Sequence, residues 1–485
     1  MNARLQAAVI GAGPSGFYTA AALLDHGFDV DLLERLPTPF GLVRYGVAPD
    51  HPKIKDVARV YEKIATHSRF RFFGGVTIGE AAAHHDLVAR YHAVIYAVGA
   101  ARNKRLGIPG EDVSGCHAAA DFVGWYNGHP SRRQDTYDFD CERAVVIGNG
   151  NVALDVARML VLDRPELAVT DTADHAIEAL ARSSIREVVV VGRRGPAQAA
   201  FTAPELRELG DLSRAEILVD SGEGALDPVT TDLLGEAGSA TARRNLEVLN
   251  GYASRPKAQT SHRIVLRFML SPTEILAGAG GRVSGVRLAR NRLERDRGGT
   301  LKAVPTRVDE LVSCGLVLRA VGYRGSPVAG VPFDDRRGVI ANDHGRIVDG
   351  EGRARRGEYV VGWIKRGPTG VIGTNKKDAV ETVAQVLDDR AAGRLLAPPM
   401  AGRATTALWL AARVPELVGW NGWHNIDRRE RAEGDRTGRP RRKLVVLEEM
   451  FGAARDAPVS EPRASEQTVS PELSATSDVF RATSA

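Results

Sequence analysis

One plan of strand, glycine turn, helix and strand occurs twice in this chain, and it constrains the possible folds more than any other feature. The first copy begins at Ala7 and contains Gly11-x-Gly13-x-x-Gly16. The second begins at Ala144 and contains Gly148-x-Gly150-x-x-Ala153. An apolar strand that leads through closely spaced glycines into a helix is the βαβ pattern of dinucleotide-binding units. The chain is therefore predicted to be α/β, with two Rossmann-like dinucleotide-binding domains.

The first unit carries an acidic residue at the position that contacts a ribose. Its glycines, Gly11, Gly13 and Gly16, let the backbone turn tightly and approach a pyrophosphate at a helix N-terminus. Glu34 ends the following strand, where a carboxylate accepts a hydrogen bond from a ribose hydroxyl. This unit is predicted to bind a dinucleotide with a free ribose.

The second unit carries two arginines at the equivalent position. Its second strand ends in Gly192-Arg193-Arg194-Gly195, with no carboxylate. Paired guanidinium groups suit a 2′-phosphate and offer no acceptor to a free 2′-hydroxyl, so NADP(H) is favoured here. The long gap from Ala153 to Arg193 indicates an inserted helical pair near 164–185. Farther along the chain, the glycine-rich, charged region from about 278 to 299 indicates surface hairpins. Two unlike sites imply two cofactors, FAD in the first and NADPH in the second, with hydride transfer between them.

Cysteine content and charge exclude several other classes. The three cysteines, Cys116, Cys141 and Cys314, form no CxxC motif, which argues against a disulfide framework, a zinc or iron–sulfur site and a redox dithiol. The net charge of +5 is mild for 485 residues. No apolar run reaches the roughly 20 residues of a spanning helix, and the first strand begins too close to Met1 for a leader peptide. A cytoplasmic location is expected.

The end of the chain changes in composition. From 453 to 485 the sequence is rich in Ser, Thr, Ala and Pro, which predicts a disordered tail. The preceding segment, 428–443, mixes cations with acidic residues and is interpreted as a solvated helix and loop. Nucleic-acid binding by this segment is the weaker alternative.

Three longer blocks resemble the adrenodoxin reductase-like ferredoxin–NADP reductases. They run from Pro39 to Pro52, from Val146 to Asp155 and from Gly362 to Asn375. In that family a discontinuous FAD domain is assembled from both ends of the chain and an NADP domain is inserted between them. The resemblance implies that 1–108 and 322–452 form the FAD domain and that 109–321 form the NADP domain. It leaves the tail, 453–485, unmatched.

The resemblance also implies roles for individual residues. Contacts to FAD are implied for Gly13, Glu34, Leu42, Trp363, Gly370, Val371 and Ile372. Contacts to NADP(H) are implied for Lys104, Asn149, Gly150, Asn151, Val152, Arg193, Arg194, Glu205 and Gly370. His51 and Glu208 match positions near the flavin that form a proton route, and an imidazole is suited to pass a proton near neutral pH. No metal site is expected.

The function expected from this resemblance is that of a monomeric NADPH:ferredoxin oxidoreductase. Hydride would pass from NADPH to FAD, and single electrons would pass to an acidic, transiently bound ferredoxin-like iron–sulfur protein. Arg207, Arg243 and Arg244 are a hypothesis for part of a basic docking face. The alternatives are another NADPH-dependent flavoprotein, such as a monooxygenase or a quinone reductase, and a non-catalytic NADP(H)-binding flavoprotein sensor.

Overall fold

The computed structural model describes residues 4–219, 230, 240–255, 260–297 and 299–456. Within them the strands, in chain order, are β1 (Gln6–Ile10), β2 (Asp29–Glu34), β3 (Phe70–Gly74), β4 (Ala93–Tyr96), β5 (Arg102–Asn103), β6 (Cys116–Ala118), β7 (Arg143–Ile147), β8 (Glu187–Val191), β9 (Ala215–Val219), β10 (His262–Arg267), β11 (Leu270–Ala277), β12 (Val283–Arg295), β13 (Leu301–Ser313), β14 (Leu316–Arg319), β15 (Tyr323–Arg324), β16 (Phe333–Asp334), β17 (Val339–Ile340), β18 (Asn342–Asp343), β19 (Arg346–Val348) and β20 (Ala354–Val360).

The α-helices of the same residues are α1 (Pro14–Asp25), α2 (Leu42–Tyr45), α3 (Pro52–Lys55), α4 (Ala58–Ala65), α5 (His84–Val88), α6 (Ala119–Tyr126), α7 (Asn151–Met159), α8 (Arg164–Ala168), α9 (Asp174–Leu180), α10 (Ala203–Glu208), α11 (Ala240–Ala253), α12 (Trp363–Arg366), α13 (Thr374–Ala391), α14 (Arg403–Arg413), α15 (Trp420–Asp435) and α16 (Leu447–Arg455). In the part of the chain that the structure describes, none of them has the length and apolar character needed to cross a bilayer. The expected α8–α9 pair lies where the long gap in the second unit predicts it.

The first sheet combines strands from both ends of the chain. Its order is β18-β19-β20-β4-β1-β2-β3, with β20, β4, β1, β2 and β3 parallel. Residues of β1 alternate between two apolar cores, since Ala7 and Val9 pack on one face and Ala8 and Ile10 on the other. Helices therefore cover both faces, as expected of a parallel sheet.

The second sheet is formed by the middle of the chain. Its order is β6-β14-β7-β8-β10-β9, and every neighbouring pair is parallel. A separate antiparallel sheet, β11-β12-β13, packs against one face of the second sheet and confirms the hairpins predicted near 278–299. The mixed α/β fold with two glycine-turn units is therefore confirmed.

The chain passes between the two sheets twice, and the two passages pair with each other. After β4 it runs through β5, and after β14 it returns through β15. Asn103 pairs with Tyr323 and Arg102 with Arg324 in an antiparallel ribbon. The predicted crossing points at 108–109 and 321–322 adjoin this ribbon, although the domain boundaries themselves stay a prediction. The last helix, α16, continues to Arg455 and buries Ala453, past the predicted start of the tail, and 457–485 lie outside the described residues.

The interpretation of 428–443 as a solvated helix and loop is wrong for its most important charges. Glu430 is fully buried, and its two carboxylate oxygens accept hydrogen bonds from the two terminal guanidinium nitrogens of Arg44, at 2.9 and 2.5 Å. Glu430 also accepts from Arg441, at 3.0 Å, and from the backbone N–H of Leu444, at 2.9 Å. Although burial opposes ionisation, Arg44 and then Arg441 hold the pKa of Glu430 below its ordinary value. These charges face protein partners that are distant in sequence.

The same segment joins the two sheets. Lys443 is buried and lies 3.1 Å from Asp171, which follows α8, and it donates to the carbonyl of Arg44, a residue of α2. Lys55 approaches the same Asp171 carboxylate, at 2.6 Å. The two ammonium groups, with Lys443 contributing most, lower the pKa of Asp171 despite its burial. Arg439 donates to the carbonyls of 170 and 172. The segment is thus a buried ionic connection between the two parts of the fold.

Candidate active site

Both glycine turns are built in the same way. Gly11 follows β1 with φ +106°, and a Cβ there would lie 2.5 Å from the Ala97 carbonyl oxygen, just beyond β4. Gly148 follows β7 with φ +138°, and its Cβ would lie 2.3 Å from the Ala320 oxygen, just beyond β14. Each first glycine therefore lies between two strand ends where a side chain does not fit. Each turn leads directly into a helix, α1 or α7.

Glu34 lies at the end of β2, beside the first turn. Its two carboxylate oxygens accept the backbone N–H groups of Ala12, at 2.8 Å, and Leu36, at 3.2 Å. Burial raises the pKa of Glu34, while these two backbone hydrogen bonds lower it in part. The carboxylate is thus fixed at the edge of the glycine turn, which fits the adenosine ribose of a dinucleotide. Gly16 packs directly under Gly11, where its own Cβ would overlap the Gly11 oxygen.

Alanine variants of Gly13 and Gly150 can test nucleotide binding without disturbing the folded protein. Both have extended backbone conformations that alanine adopts, and a Cβ would meet no protein atom within 4 Å at Gly13 and only Ala200 at 3.9 Å at Gly150. We expect Gly13→Ala to weaken FAD binding about 10- to 100-fold without a loss of apoprotein stability, since overpacking against the ligand costs about 1–3 kcal/mol.

The reciprocal variant serves as the control. Gly150→Ala should weaken NADP⁺ binding by a similar factor and leave the flavin content unchanged. Titration of apoprotein with FAD and of holoprotein with NADP⁺ measures both effects, and thermal unfolding of the apoproteins reports folding. If either variant lost affinity for FAD and for NADP⁺ equally, the assignment of FAD to the first turn and NADP(H) to the second would be contradicted.

The segment 362–375 brings the second end of the chain onto the first unit. A Cβ on Gly362 would lie 2.2 Å from Ser15 Oγ, so the two backbones are in close contact. Ser15 Oγ donates to Asn375 Oδ1 at 2.9 Å, and the Gly362 N–H donates to Asp378 at 2.5 Å. Trp363 follows, with its indole stacked on Tyr323 at 5.7 Å between centroids and its buried Nε1 without a hydrogen-bond partner. That unpaired donor fits a polar edge of a bound flavin.

A single cleft of about 1,020 Å³ connects this segment with the second unit. The predicted residues that line it are Lys104, Asn149, Gly150, Asn151, Val152, Arg193, Arg194, Trp363, Gly370 and Val371. The cleft therefore runs from the second glycine turn to the loop before α13. The predicted residues outside its lining are Gly11, Gly13, Gly16, Glu34, Leu42, Ile372, His51, Glu205 and Glu208. Of these, Leu42 begins α2 and is half-exposed, and Gly41 before it touches Gly13.

Arg193 and Arg194 follow β8 and line the same cleft as Trp363. The first residue of β11 holds the backbone beside them, because Leu270 N donates to the Gly192 oxygen at 3.0 Å. Burial and then the adjacent Arg193 charge lower the pKa of Arg194. Two neighbouring guanidinium groups with no carboxylate between them suit a dianionic ligand.

His51 and Glu208 lie together at the junction of the two units. His51 precedes α3 and is buried, and its Nε2 lies 2.7 Å from Glu208 Oε2 at the end of α10. Its Nδ1 lies 3.9 Å from both Asp155 and Glu205. The Glu208 side chain is 44% exposed, so a proton on the buried imidazole has a short path to solvent.

Three residues that organise this cluster, Arg158, Asp50 and Asp155, had no role predicted from the sequence. Arg158 is buried and donates to Asp50, at 2.5 and 3.2 Å, and to Asp155, at 2.9 Å. Asp50 and Asp155 both stand inside the quoted motif blocks, which was the available signal. Among the described residues, His51, Glu205 and Glu208 are the only three possible metal ligands with atoms within 4.8 Å of one another. Because the Arg158 guanidinium lies beside them, we interpret the group as one that handles protons.

Glu205 gives this cluster a pH dependence. Burial, and then the Asp155 charge, raise the pKa of Glu205 to about 7, against lowering contributions from His51 and Arg158. Glu208 contributes a further negative charge. Since the pKa is higher in the folded state, the unfolded chain releases this proton first, and the free energy of unfolding falls as pH rises from about 4.5 to about 7.

We therefore expect Glu205→Gln to gain thermal stability relative to the wild type as pH rises. The difference in Tm between variant and wild type should increase by roughly 2 °C between pH 5 and pH 8. Glu178→Gln, which removes an exposed carboxylate from α9, is the control and should show a constant difference. A constant difference for Glu205→Gln as well would mean that this carboxyl titrates normally.

Comparison with known proteins places the whole chain among redox enzymes. The model of the pyridine nucleotide-disulphide oxidoreductase family matches residues 5–194. NADPH-ferredoxin reductase FprA of Mycobacterium tuberculosis (strain ATCC 25618 / H37Rv) is 50% identical over 455 residues, covering 92% of this chain and 98% of that protein. The mitochondrial NADPH:adrenodoxin oxidoreductase of Salvelinus fontinalis is 42% identical over 464 residues, covering 92% of this chain and 90% of that protein. The structure of Mycobacterium tuberculosis FprA in complex with NADPH superimposes with a TM-score of 0.87, at 49% identity, over 93% of this chain and 100% of that one.

Proposed function

Since this chain belongs to the family of NADPH-ferredoxin reductases and NADPH:adrenodoxin oxidoreductases, we propose that it transfers electrons from NADPH to a ferredoxin-like iron–sulfur protein. The family membership confirms the resemblance found in the sequence. The first glycine turn, Glu34 and Trp363 would hold FAD, which would supply a hydride acceptor for NADPH that can give up its electrons one at a time.

The observation that carries this proposal is the shared cleft. One wall is formed by the second glycine turn and the Arg193–Arg194 pair, and another by Trp363 and Gly370 from the first unit. Arg193 and Arg194 would hold the 2′-phosphate of NADP(H), and the N-terminus of α7 would hold its pyrophosphate, in the same cleft that Trp363 lines. The protein thereby orients the two nucleotides toward each other and limits access of water.

The residues at the junction supply the proton route. His51 is positioned by the Asp50–Arg158 pair, because Asp50 is its immediate neighbour and both its oxygens are held. A proton at His51 Nε2 passes to Glu208 Oε2, 2.7 Å away, and from that partly exposed carboxylate to solvent. This route balances a hydride uptake followed by the departure of electrons alone.

The protein partner is proposed to dock beside this route. Arg207 lies on α10, next to Glu208, while Arg243 and Arg244 lie on α11, which packs against α10. All three are exposed. An acidic iron–sulfur protein bound there would be attracted electrostatically, so its apparent affinity should fall with increasing salt.

The decisive experiment is anaerobic reduction of the flavoprotein. NADPH should bleach the flavin absorbance much faster than NADH, and oxidised ferredoxin should restore it. Restoration by quinone or by oxygen with a hydroxylated substrate, but not by ferredoxin, would move the assignment to another NADPH-dependent flavoprotein. Protein without bound flavin, or without reduction by either nucleotide, would overturn the proposal.

A further inference from the structure

The Arg193–Arg194 loop is supported by residues that no sequence motif marks. Between β10 and β11 the chain turns through Met269, whose φ of +59° is unusual for a residue with a side chain. Met269 N donates to the Arg194 carbonyl at 3.2 Å, and Leu270 N donates to the Gly192 carbonyl at 3.0 Å. This turn therefore lies directly against the loop and follows its backbone.

Asn291 connects the Arg193–Arg194 loop, the turn at Met269 and the hairpin of β11 and β12. It lies on β12, is 5% exposed, and donates its backbone N–H to the Met269 carbonyl at 2.7 Å. Its side-chain amide nitrogen donates to the Arg193 carbonyl at 2.7 Å and to Ser271 Oγ at 2.9 Å. The Arg193 carbonyl accepts hydrogen bonds only, so it fixes which end of the Asn291 amide faces it.

The consequence for Ser271 is a directed hydroxyl. Because Asn291 donates to its oxygen, the Ser271 hydrogen is available for another acceptor. Ser271 lines the same cleft as Arg193 and Arg194, in the first residues of β11. The cleft thus presents two guanidinium groups and one neutral donor.

We propose that Ser271 is a third donor to the 2′-phosphate of NADP(H), and that Asn291 is the positioning residue that orients both Ser271 and the Arg193 backbone. This inference rests on the proposed use of NADPH. A phosphate monoester dianion has three terminal oxygens, so it can accept from both arginines and from the hydroxyl together. NADH has only a hydroxyl at that place, and so gains nothing from the phosphate contacts.

The test is calorimetric binding of adenosine 2′-monophosphate and adenosine 5′-monophosphate to the FAD-loaded protein. Ser271→Ala should bind the 2′-isomer about 10-fold more weakly and the 5′-isomer unchanged, as expected for one hydrogen bond to a charged group. Asn291→Ala should show at least the same loss. In turnover, both variants should raise KM for NADPH with little change in kcat and leave the NADH parameters as they are.

Thr273→Val is the matched control. The Thr273 hydroxyl donates to the Arg287 carbonyl within the same hairpin, and Thr273 does not line the cleft. Wild-type affinity of Ser271→Ala for the 2′-isomer would overturn the inference, whatever Asn291→Ala does. Wild-type behaviour of Asn291→Ala alone would overturn its positioning role. If Asn291→Ala loses flavin or unfolds, Ser271→Ala and the control still decide the role of the hydroxyl.

A different set of results would show that NADP(H) is not the nucleotide of this site. Wild-type protein that binds both isomers equally and is reduced equally fast by NADPH and NADH would reject NADP(H) itself. Wild-type preference for the 2′-isomer with no effect of Ser271→Ala would reject only the third donor.

Discussion

The double variant Arg193→Ala/Arg194→Ala will lower kcat/KM for NADPH by about 10²- to 10⁴-fold and leave kcat/KM for NADH within about twofold. Each charge-assisted hydrogen bond to a phosphate contributes about 1.5–3 kcal/mol, and two are removed. NADH forms neither contact, so its rate depends on the rest of the cleft. Stopped-flow reduction of the flavin with each nucleotide measures both values.

The chain contains its own control for this experiment. Arg336 and Arg337 are also adjacent, also precede a glycine, and are exposed away from the cleft. Replacing both by alanine removes the same net charge but should change neither rate by more than about twofold, because isolated surface charges act weakly at physiological salt. If the two double variants lost NADPH activity equally, the 2′-phosphate assignment would be wrong.

A second large effect is expected on stability. Glu430→Ala should lower the free energy of unfolding by about 3–5 kcal/mol, since removal of one partner leaves the buried Arg44 guanidinium without its counter-charge. Arg441 and the Leu444 N–H lose an acceptor in the same change. Denaturant unfolding of the FAD-loaded protein, with flavin release recorded in parallel, measures the loss.

Glu433 provides the comparison within the same helix. It lies one turn after Glu430 on α15 and pairs with Arg442 at the surface, at 3.2 Å, with half of the arginine exposed. Glu433→Ala should cost at most about 1 kcal/mol, as exposed ion pairs do. Similar losses for both variants would show that burial of Glu430 contributes little.

The parts of this fold that sequence predicts well are those with local signals. The two glycine turns, Glu34, the Arg193–Arg194 pair and the inserted α8–α9 pair depend on residues close together in the chain, so pattern and spacing suffice. His51 and Glu208 needed the family resemblance, because a histidine in Asp50-His51-Pro52 is otherwise an ordinary turn residue. In the structure, His51 Nε2 lies 2.7 Å from Glu208 Oε2, while the role of this pair in proton transfer stays a prediction.

Other features depend on partners that local reasoning cannot see. The cations near 439–443 are typical of a solvated surface until Asp171, Glu430 and Arg44 are found beside them. Surface hairpins were predicted near 278–299, yet Asn291 within this region is buried and donates to the Arg193 carbonyl, a contact between residues almost 100 positions apart. For the cations near 439–443 and for Asn291, the sequence identifies a hydrogen-bond donor but does not show which distant residue accepts from it.

The inserted arrangement of the second sheet also has a consequence for synthesis on the ribosome. Strand β4 ends at Tyr96, but its parallel neighbour β20 begins only at Ala354. At a translation rate of about 5–20 residues per second, the first sheet waits roughly 13–50 s for that strand after β4 has been made. The second sheet, β6 to β14, is contiguous in sequence and is complete before β20 is made. The nascent chain therefore holds an open apolar strand edge at β4 for much of its synthesis, the period in which it depends most on protection from aggregation.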